Sequence, residues 1–364
     1  MYGLCIDPEV LYPAVMRLLA KYGVRLLLNT TVVGVKSSNG VVSSLQLAGR
    51  GGTSSIDCNC IVDASGGGNI TAMAGGEVIT GDKEGRFQPV SLTFRMADVE
   101  YEPLLRFIRD NPDEALLSEN PVLPKDPATA AAKLYEAGMP YVAISAKGTV
   151  LGEAIREGSV HQSTAAFITP TSVRRQEVCI NSTRVSGIDC TEEEVVSGVL
   201  FELSEQMVNF SRFLRQRVPG FENSSVSSIA HRVGVRETGR IRGEYTLTQD
   251  DVINAVRHKD SVARGCHHVD IHGEGTSQVR IPVKDGKAYD IPYRCLIPVG
   301  LKNVIAAGRC LSSDRGANGS ARVMGTCLAT GQAAGAAAAL YTKEGHADFR
   351  DINTEAIMKL NQGS

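Results

Sequence analysis

Residues 291–340, IPYRCLIPVGLKNVIAAGRCLSSDRGANGSARVMGTCLATGQAAGAAAAL, constrain this 364-residue chain more than any other stretch. A short apolar strand, Asn303–Ala307, runs into Gly308-Arg309 and a loop of small and polar residues. The pattern then predicts one long helix from about Ser320 to Leu340, built almost wholly of Gly, Ala, Ser, Thr and Met. A strand that feeds a helix through a glycine gathers backbone N–H groups and a positive helix end at one place, which suits an anionic or electron-rich ligand. Small side chains let such a helix lie close to a sheet and to a flat cofactor. The plainer alternative is an ordinary buried βα unit, and the physics of the stretch alone leaves both open.

Composition narrows the class. An apolar fraction of 43% can fill the cores of the two domains that the length predicts. The 38 Lys and Arg nearly balance the 40 Asp and Glu, so nucleic acid and membrane surfaces are not expected partners. No apolar run reaches the roughly 18 residues of a membrane span, and no basic-then-apolar leader opens the chain. The nine cysteines are scattered, without a C-x-x-C pair, and Cys58-Asn59-Cys60 is too close for zinc or iron–sulfur spacing. They read as free thiols of a reducing compartment, hence a cytoplasmic protein. No Ser-His-Asp elbow, Walker loop or H-E-x-x-H is visible, which sets hydrolase and phosphotransfer readings aside.

Along the chain, Asp7-Pro8 opens a helix with Asp at the N-cap and Pro at the first position. Leu11, Val15, Leu18 and Leu19 form its apolar stripe, and Gly23 ends it. Val24–Leu28 reads as a buried strand. Thr30–Val35 and Val41–Leu47 read as a hairpin about Asn39-Gly40, and Ile61–Ala64 as a strand ending at Ser65 and the glycines. The character changes after about residue 88. Ser91–Met96, Tyr141–Ser145, Ala165–Thr169 and Glu177–Asn181 read as strands of a second region, with Pro-rich and helical segments through about 138. Thr191–Val218 reads as one long helix with Phe201, Phe210 and Phe213 in the core, and Thr248-Gln249-Asp250-Asp251 as a capping box. The chain is expected to return to the first domain near Ile291.

Several motifs together carry a family resemblance. They are Ile291-Pro292-Tyr293-Arg294, Ala307-Gly308-Arg309, Gly319-Ser320-Ala321-Arg322-Val323 and Gly331-Gln332-Ala333-Ala334-Gly335, in order, with Gly234-Val235-Arg236-Glu237-Thr238-Gly239-Arg240-Ile241-Arg242-Gly243 and Ile61-Val62-Asp63-Ala64-Ser65-Gly66 upstream. The chain resembles the FAD-dependent oxidoreductases of the glutathione-reductase-like superfamily, and within them the broad FAD-dependent oxidoreductase family. The resemblance implies an α/β fold: an FAD-binding doubly wound (Rossmann-like) domain, split as 1–88 and 289–345, an inserted α+β substrate domain, 89–288, and a C-terminal tail, 346–364. It implies FAD as cofactor and a small-molecule substrate, and it leaves homo-oligomerisation open. The superfamily opens with strand, G-x-G-x-x-G and helix, then an acidic residue about 20 positions on. That fingerprint is not found here, and Met1-Tyr2-Gly3-Leu4-Cys5 resembles a point well inside family members. The expectation is therefore an incomplete FAD domain from a truncated sequence. The alternative is a degenerate, FAD-free paralogue acting as a non-catalytic interaction module.

The resemblance also assigns residues. It implies cofactor contacts at Val32 and Val33 beside the adenine, at Ser65 and Gly66, at Gly308 and Arg309, and at Ser320, Arg322 and Val323. A flavin dehydrogenase needs a base for the proton and positive potential near the flavin's pyrimidine edge, and the helix expected from Ser320 supplies the latter. The segment 231–294 is rich in arginine: Arg232, Arg236, Arg240, Arg242, Arg280 and Arg294. They read either as ligands of an anionic substrate or as internal partners, Arg236 and Arg240 pairing with Glu237 and Glu244. His268, Asp270 and His272 alternate on a strand and share a face, but no metal is expected for flavin chemistry. His272 as base, Asp270 as its orienting group, Arg236, Tyr293 and Arg294 form the candidate catalytic set. The expected reaction is hydride transfer between a small polar or carboxylated organic substrate and the flavin.

Overall fold

In the computed structural model, which describes residues 5–117, 124–273 and 278–362, Asn39 and Gly40 both take positive φ, 51° and 78°. Such a turn matches the twist of a hairpin. It joins β1 (Thr31–Ser38) to β2 (Val41–Gly49), with Ser38 opposite Val41. β3 (Gly52–Asp57) adds antiparallel to β2 and completes a meander. β4 (Ile61–Asp63) pairs instead in parallel with β16 (Val304–Ala306), Asp63 beside Ala306. Ile61, Val304, Ile305 and Ala306 are buried, as the apolar runs of parallel strands require.

These elements belong to one of two compact units, which comprises Leu26–Phe87, Arg236–His272 and the described residues from Gln278 on. The same unit holds α2 (Asn69–Met73), and β5 (Val78–Thr80) paired with β11 (Gly239–Ile241). It also holds α7 (Gln249–Ile253), β12 (Ser261–Gly265) paired with β15 (Tyr289–Pro292), and β13 (Val269–His272) paired with β14 (Gln278–Ile281). Helices α8 (Arg315–Ala321), α9 (Met324–Glu344) and α10 (Thr354–Gln362) follow. Its main core gathers Tyr289, Ile291, Leu296, Ile305, Ala333, Ala337, Phe349 and Ile357.

The other unit takes in the described residues up to Arg25, Gln88–Val235 and Gly273. It contains α1 (Pro8–Lys21) and an antiparallel sheet of five strands. In spatial order these are β10 (Ser225–Ile229), β6 (Phe94–Ala97), β9 (Glu177–Asn181), β8 (Ala165–Ser172) and β7 (Val142–Ser145). α3 (Tyr101–Asp110), α4 (Pro127–Ala137), α5 (Thr149–Arg156) and α6 (Glu193–Arg217) complete it. Residues 118–123 of the expected Pro-rich stretch lie outside the described residues. Phe210 and Phe213 enter the core, whereas Phe201 is 79% exposed.

The architecture is mixed α/β, and it corrects several local expectations. Residues 236–272 and 278–288 do not join an insert. Strand pairings β11–β5 and β12–β15 tie them to the unit of β4 and β16. The expected tail is part of that core, with Phe349 and Ile357 fully buried. α1 has the expected Asp7 cap, which accepts the Glu9 N–H at 3.0 Å, but none of its residues is buried. It is tied down by ion pairs, Arg95–Glu9 at 2.7 Å and Arg175–Asp7 at 2.8 Å. Val24–Leu28 is not a strand, and Val24, Leu26, Leu27 and Leu28 are exposed. A strand needs a neighbour for its backbone groups, and none among the described residues pairs with this run. The long helix expected from Ser320 to Leu340 is two helices, α8 and α9, bent by 92° at Arg322-Val323. Among the described residues no single helix is long and apolar enough to cross a membrane.

Candidate active site

Because β4 and β16 run parallel, both deliver their carboxyl ends to the same edge, where open α/β folds bind ligands. Asp63 ends β4 with a fully buried side chain. It accepts the Ser65 N–H at 3.1 Å and both the N–H and hydroxyl of Thr71 at 2.9 Å. These bonds fold the intervening loop, in which Gly66 and Gly68 take φ of 79° and 70°, values that only glycine adopts readily. From β16, Gly308 (φ 81°) donates its N–H to Thr330 Oγ1 at 3.0 Å. Arg309 Nε donates to the Gly66 carbonyl at 2.8 Å, so the two expected cofactor loops meet. Asn318 Nδ2 holds the Arg309 carbonyl at 2.8 Å, while its buried Oδ1 has no hydrogen-bond partner. Sequence reasoning passed over Asp63 and Asn318. An acidic residue closing the apolar Ile61-Val62 run was the available signal for the first.

The start of the long helix is not where the sequence put it. Ser320 is buried inside α8, its hydroxyl donating to the His267 carbonyl at 2.5 Å and lying 2.8 Å from the Tyr289 hydroxyl. The available helix start is that of α9. Val323 is its N-cap and supplies no side-chain cap, and Met324 and Gly325 are exposed. The opening N–H groups of a 21-residue helix thus lack a side-chain acceptor and suit an electron-rich edge. This uncapped start and the orphaned Asn318 oxygen fit an FAD, which Gly66, Gly308, Arg309, Arg322 and Val323 would hold. On β1, Val32 is half-buried and Val33 is 51% exposed.

Beside the α8–α9 break lies β13. Asp270 and His272 share one face of this strand, with Asp270 Oδ2 and His272 Nε2 3.1 Å apart. From β14, Gln278 Nε2 donates to Asp270 Oδ1 at 2.8 Å, and Arg280 Nε stands 3.6 Å from the same oxygen. Arg322 Nη2 donates to the Asp270 carbonyl at 3.3 Å. Burial pushes the Asp270 carboxyl up, but the His272 hydrogen bond and charge, the Gln278 amide and the Arg322 charge outweigh it and hold Asp270 well below the ordinary range. Burial lowers Arg280 and Arg322. His267 turns Nδ1 to the His268 carbonyl at 2.6 Å and stacks on the His268 ring. Burial, and His268 next to it, lower it to about 4. α8 lies so close to this strand that a Cβ on Gly319 would come within 2.9 Å of the Asp270 carbonyl.

Tyr293 and Arg294 are placed apart. Tyr293 is a core tyrosine whose phenol donates to the Phe349 carbonyl at 2.9 Å, with burial raising its pKa. It is not exposed toward a substrate. Arg294 is exposed, pairs with Asp260 at 2.9 Å and stacks over the Tyr245 ring. Arg236 is half-buried where the chain re-enters this unit. Arg240 takes the internal option: it is buried against Glu237, with Nη2 on the Gly81 carbonyl at 2.8 Å and Nε on the Ser313 carbonyl at 3.0 Å. Glu244 pairs with Arg350 at 2.6 Å and not with Arg236.

The chain belongs to the FAD-dependent oxidoreductase family, whose model matches residues 2–361. FAD is the cofactor of that family. A search of curated protein sequences finds no match. Similar solved structures include the flavin-dependent brominase Bmp2, with 11% identity, 98% of this chain and 60% of that one covered, and a TM-score of 0.40. p-Nitrophenol 4-monooxygenase PnpA from Pseudomonas putida shares 9% identity over 97% of this chain and 57% of that one, with a TM-score of 0.41. A geranylgeranyl bacteriochlorophyll reductase-like protein from Thermoplasma acidophilum shares 9% over 97% and 58%, with a TM-score of 0.42. The chain thus spans about three-fifths of the length of these proteins.

Proposed function

We propose that this protein transfers a hydride between a small polar or carboxylated organic substrate and FAD, with His272 as the proton acceptor and Asp270 as its orienting partner. One observation carries the reading. Arg322 joins the His272–Asp270 pair, through the Asp270 carbonyl, to the uncapped start of α9. FAD, when bound, supplies the two-electron acceptor. With its Nε2 on Asp270, the His272 imidazole takes the substrate's hydroxyl or amine proton. The Asp270 carboxylate stabilises the imidazolium that forms, and its depressed pKa keeps it charged for that task. Nine free cysteines support a cytoplasmic setting.

The first test is the visible flavin band of the purified protein, with and without added FAD. No band after titration refutes the enzyme and favours an FAD-free interaction module. If flavin binds, His272→Gln should leave its content unchanged and slow anaerobic bleaching by substrate about 10²–10⁴-fold. It should also remove the limb of the pH profile that falls on acidification. An unchanged bleaching rate rejects His272 as the base.

A further inference from the structure

We propose that the cavity of about 800 Å³ between β5, α7 and the start of α8 binds an uncharged, polyhydroxylated small molecule of one or two sugar rings. It goes beyond the flavin reading, since none of the residues assigned to FAD lines this cavity. β13 separates the two sites. Ile271 lines the cavity, and strand alternation points it away from Asp270 and His272.

The lining selects the ligand. Its inner charges, those of Asp82, Arg240 and Arg315, are already committed to ion pairs. Arg240 is occupied by Glu237 and two carbonyls. Arg315 is paired with Asp82, with its Nε 3.6 Å from Glu237. Asp314 accepts the Ala317 N–H at 2.7 Å on one oxygen and the Gln249 N–H at 2.8 Å on the other. A carboxylated ligand would meet Asp314 and Asp250, and of the described wall cations Lys83 alone stands outside the ion pairs, at the mouth with Asp250. Lys83 and Asp250, opposite in sign, are both exposed and open the cavity to solvent.

What remains is neutral hydrogen-bonding surface flanked by two isoleucines. Gln249 contributes its amide, and the hydroxyls of Thr246, Thr248 and Ser313, which also bond to Ser312, Asp251 and the Leu311 carbonyl, keep lone pairs for a ligand's donors. Ile79 and Ile271 contribute apolar faces. Gln249 packs directly over Gly316, where a Cβ would fall 2.4 Å from Gln249 Oε1. Hydroxyl-rich rings with apolar C–H faces match such a mixture, and the volume falls in the roughly 300–1,000 Å³ range of small-molecule sites.

The test uses the full chain and needs no flavin turnover. Because the chain has no tryptophan, Lys83→Trp places a lone indole reporter at the mouth. Glucose, maltose and myo-inositol are titrated against it, with glucuronate as the charged counterpart, and saturation-transfer NMR on the unsubstituted protein repeats each titration. At least one uncharged probe should saturate and bind at least tenfold more tightly than glucuronate. Ile79→Trp, which fills the cavity, and Gln249→Ala, which removes an amide, should each weaken it tenfold or more with unchanged far-UV circular dichroism. If no uncharged probe saturates, if glucuronate binds equally well, or if both substitutions leave binding intact, the proposal is overturned. Loss of flavin chemistry with sugar binding retained would reject only the proposed oxidoreductase.

Discussion

Removing one member of the Glu237–Arg240 pair should cost far more than removing both. Glu237 is fully buried and Arg240 is 5% exposed at the side chain. Arg240→Met leaves a buried carboxylate with Arg315 Nε 3.6 Å away, and Glu237→Leu leaves a buried guanidinium on two carbonyls. Breaking a buried pair from one side costs about 3–5 kcal/mol, so the two singles sum to about 6–10. In the double substitution no unpaired charge stays behind at this pair. Its main loss is the donors to the Gly81 and Ser313 carbonyls, about 1 kcal/mol each. The double variant should therefore lose only about 2–3 kcal/mol, a coupling of about 3–8 kcal/mol. Urea unfolding followed by far-UV circular dichroism reads the effect directly, the chain having no indole emission to follow. Additive single losses, or a double variant less stable than either single, would refute the claim that this arginine of the GVRET-like motif is held by a charge partner.

Other expectations follow from the same geometry. Asn303 is buried and exchanges two hydrogen bonds with Val42, at 2.8 and 2.7 Å, while also donating to the Asn59 carbonyl at 2.9 Å. Asn303→Ala should cost about 2–4 kcal/mol in urea unfolding, and a loss under 1 would show that the meander does not depend on it. A Cβ on Gly239 would lie 2.2 Å from the Gly67 carbonyl, whereas one on Gly335 in α9 meets nothing within 4 Å. Gly239→Ala should thus destabilise and weaken FAD retention. Gly335→Ala should gain about 0.5–1 kcal/mol of helix propensity, and a destabilised Gly335→Ala would refute the open space around that position. Burial holds His161 and His267 neutral, each lowered from 6.5 to about 4. The unfolded chain takes up their protons first as pH falls through that window. Stability should therefore drop between about pH 6.5 and 4, by up to about 3 kcal/mol per histidine. His161→Leu should remove about half of that slope, and an unchanged slope would reject the assignment.

What the sequence made legible was local. The Asn39-Gly40 hairpin, the Thr248 capping box and the Asp7 N-cap depend on residues a few positions apart, and each formed as its chemistry dictates. What it hid was pairing across distance. Nothing in Gly239–Ile241 announces that its partner is Val78–Thr80, yet that pairing draws Arg236–His272 into the unit of β4 and β16 and moves the expected boundary. The helix break is similar. Gly, Ala and Ser run on through Arg322-Val323 with no proline to stop them, so composition reads one helix. What fixes α8 separately is tertiary: Asp314 caps it, Gly319 lets it close on β13, and Ser320 bonds to His267 and Tyr289. That break creates the feature on which the functional reading rests. It exposes a fresh helix start at Met324, and it leaves Arg322 on the Asp270 carbonyl. The motif Gly319-Ser320-Ala321-Arg322-Val323 therefore divides its labour. Its glycine and serine anchor α8 to the strand that carries Asp270 and His272, and its arginine and valine open α9. A substitution at Ser320 should act through the placement of that strand, changing the His272-dependent pH profile, and not through a direct contact with flavin.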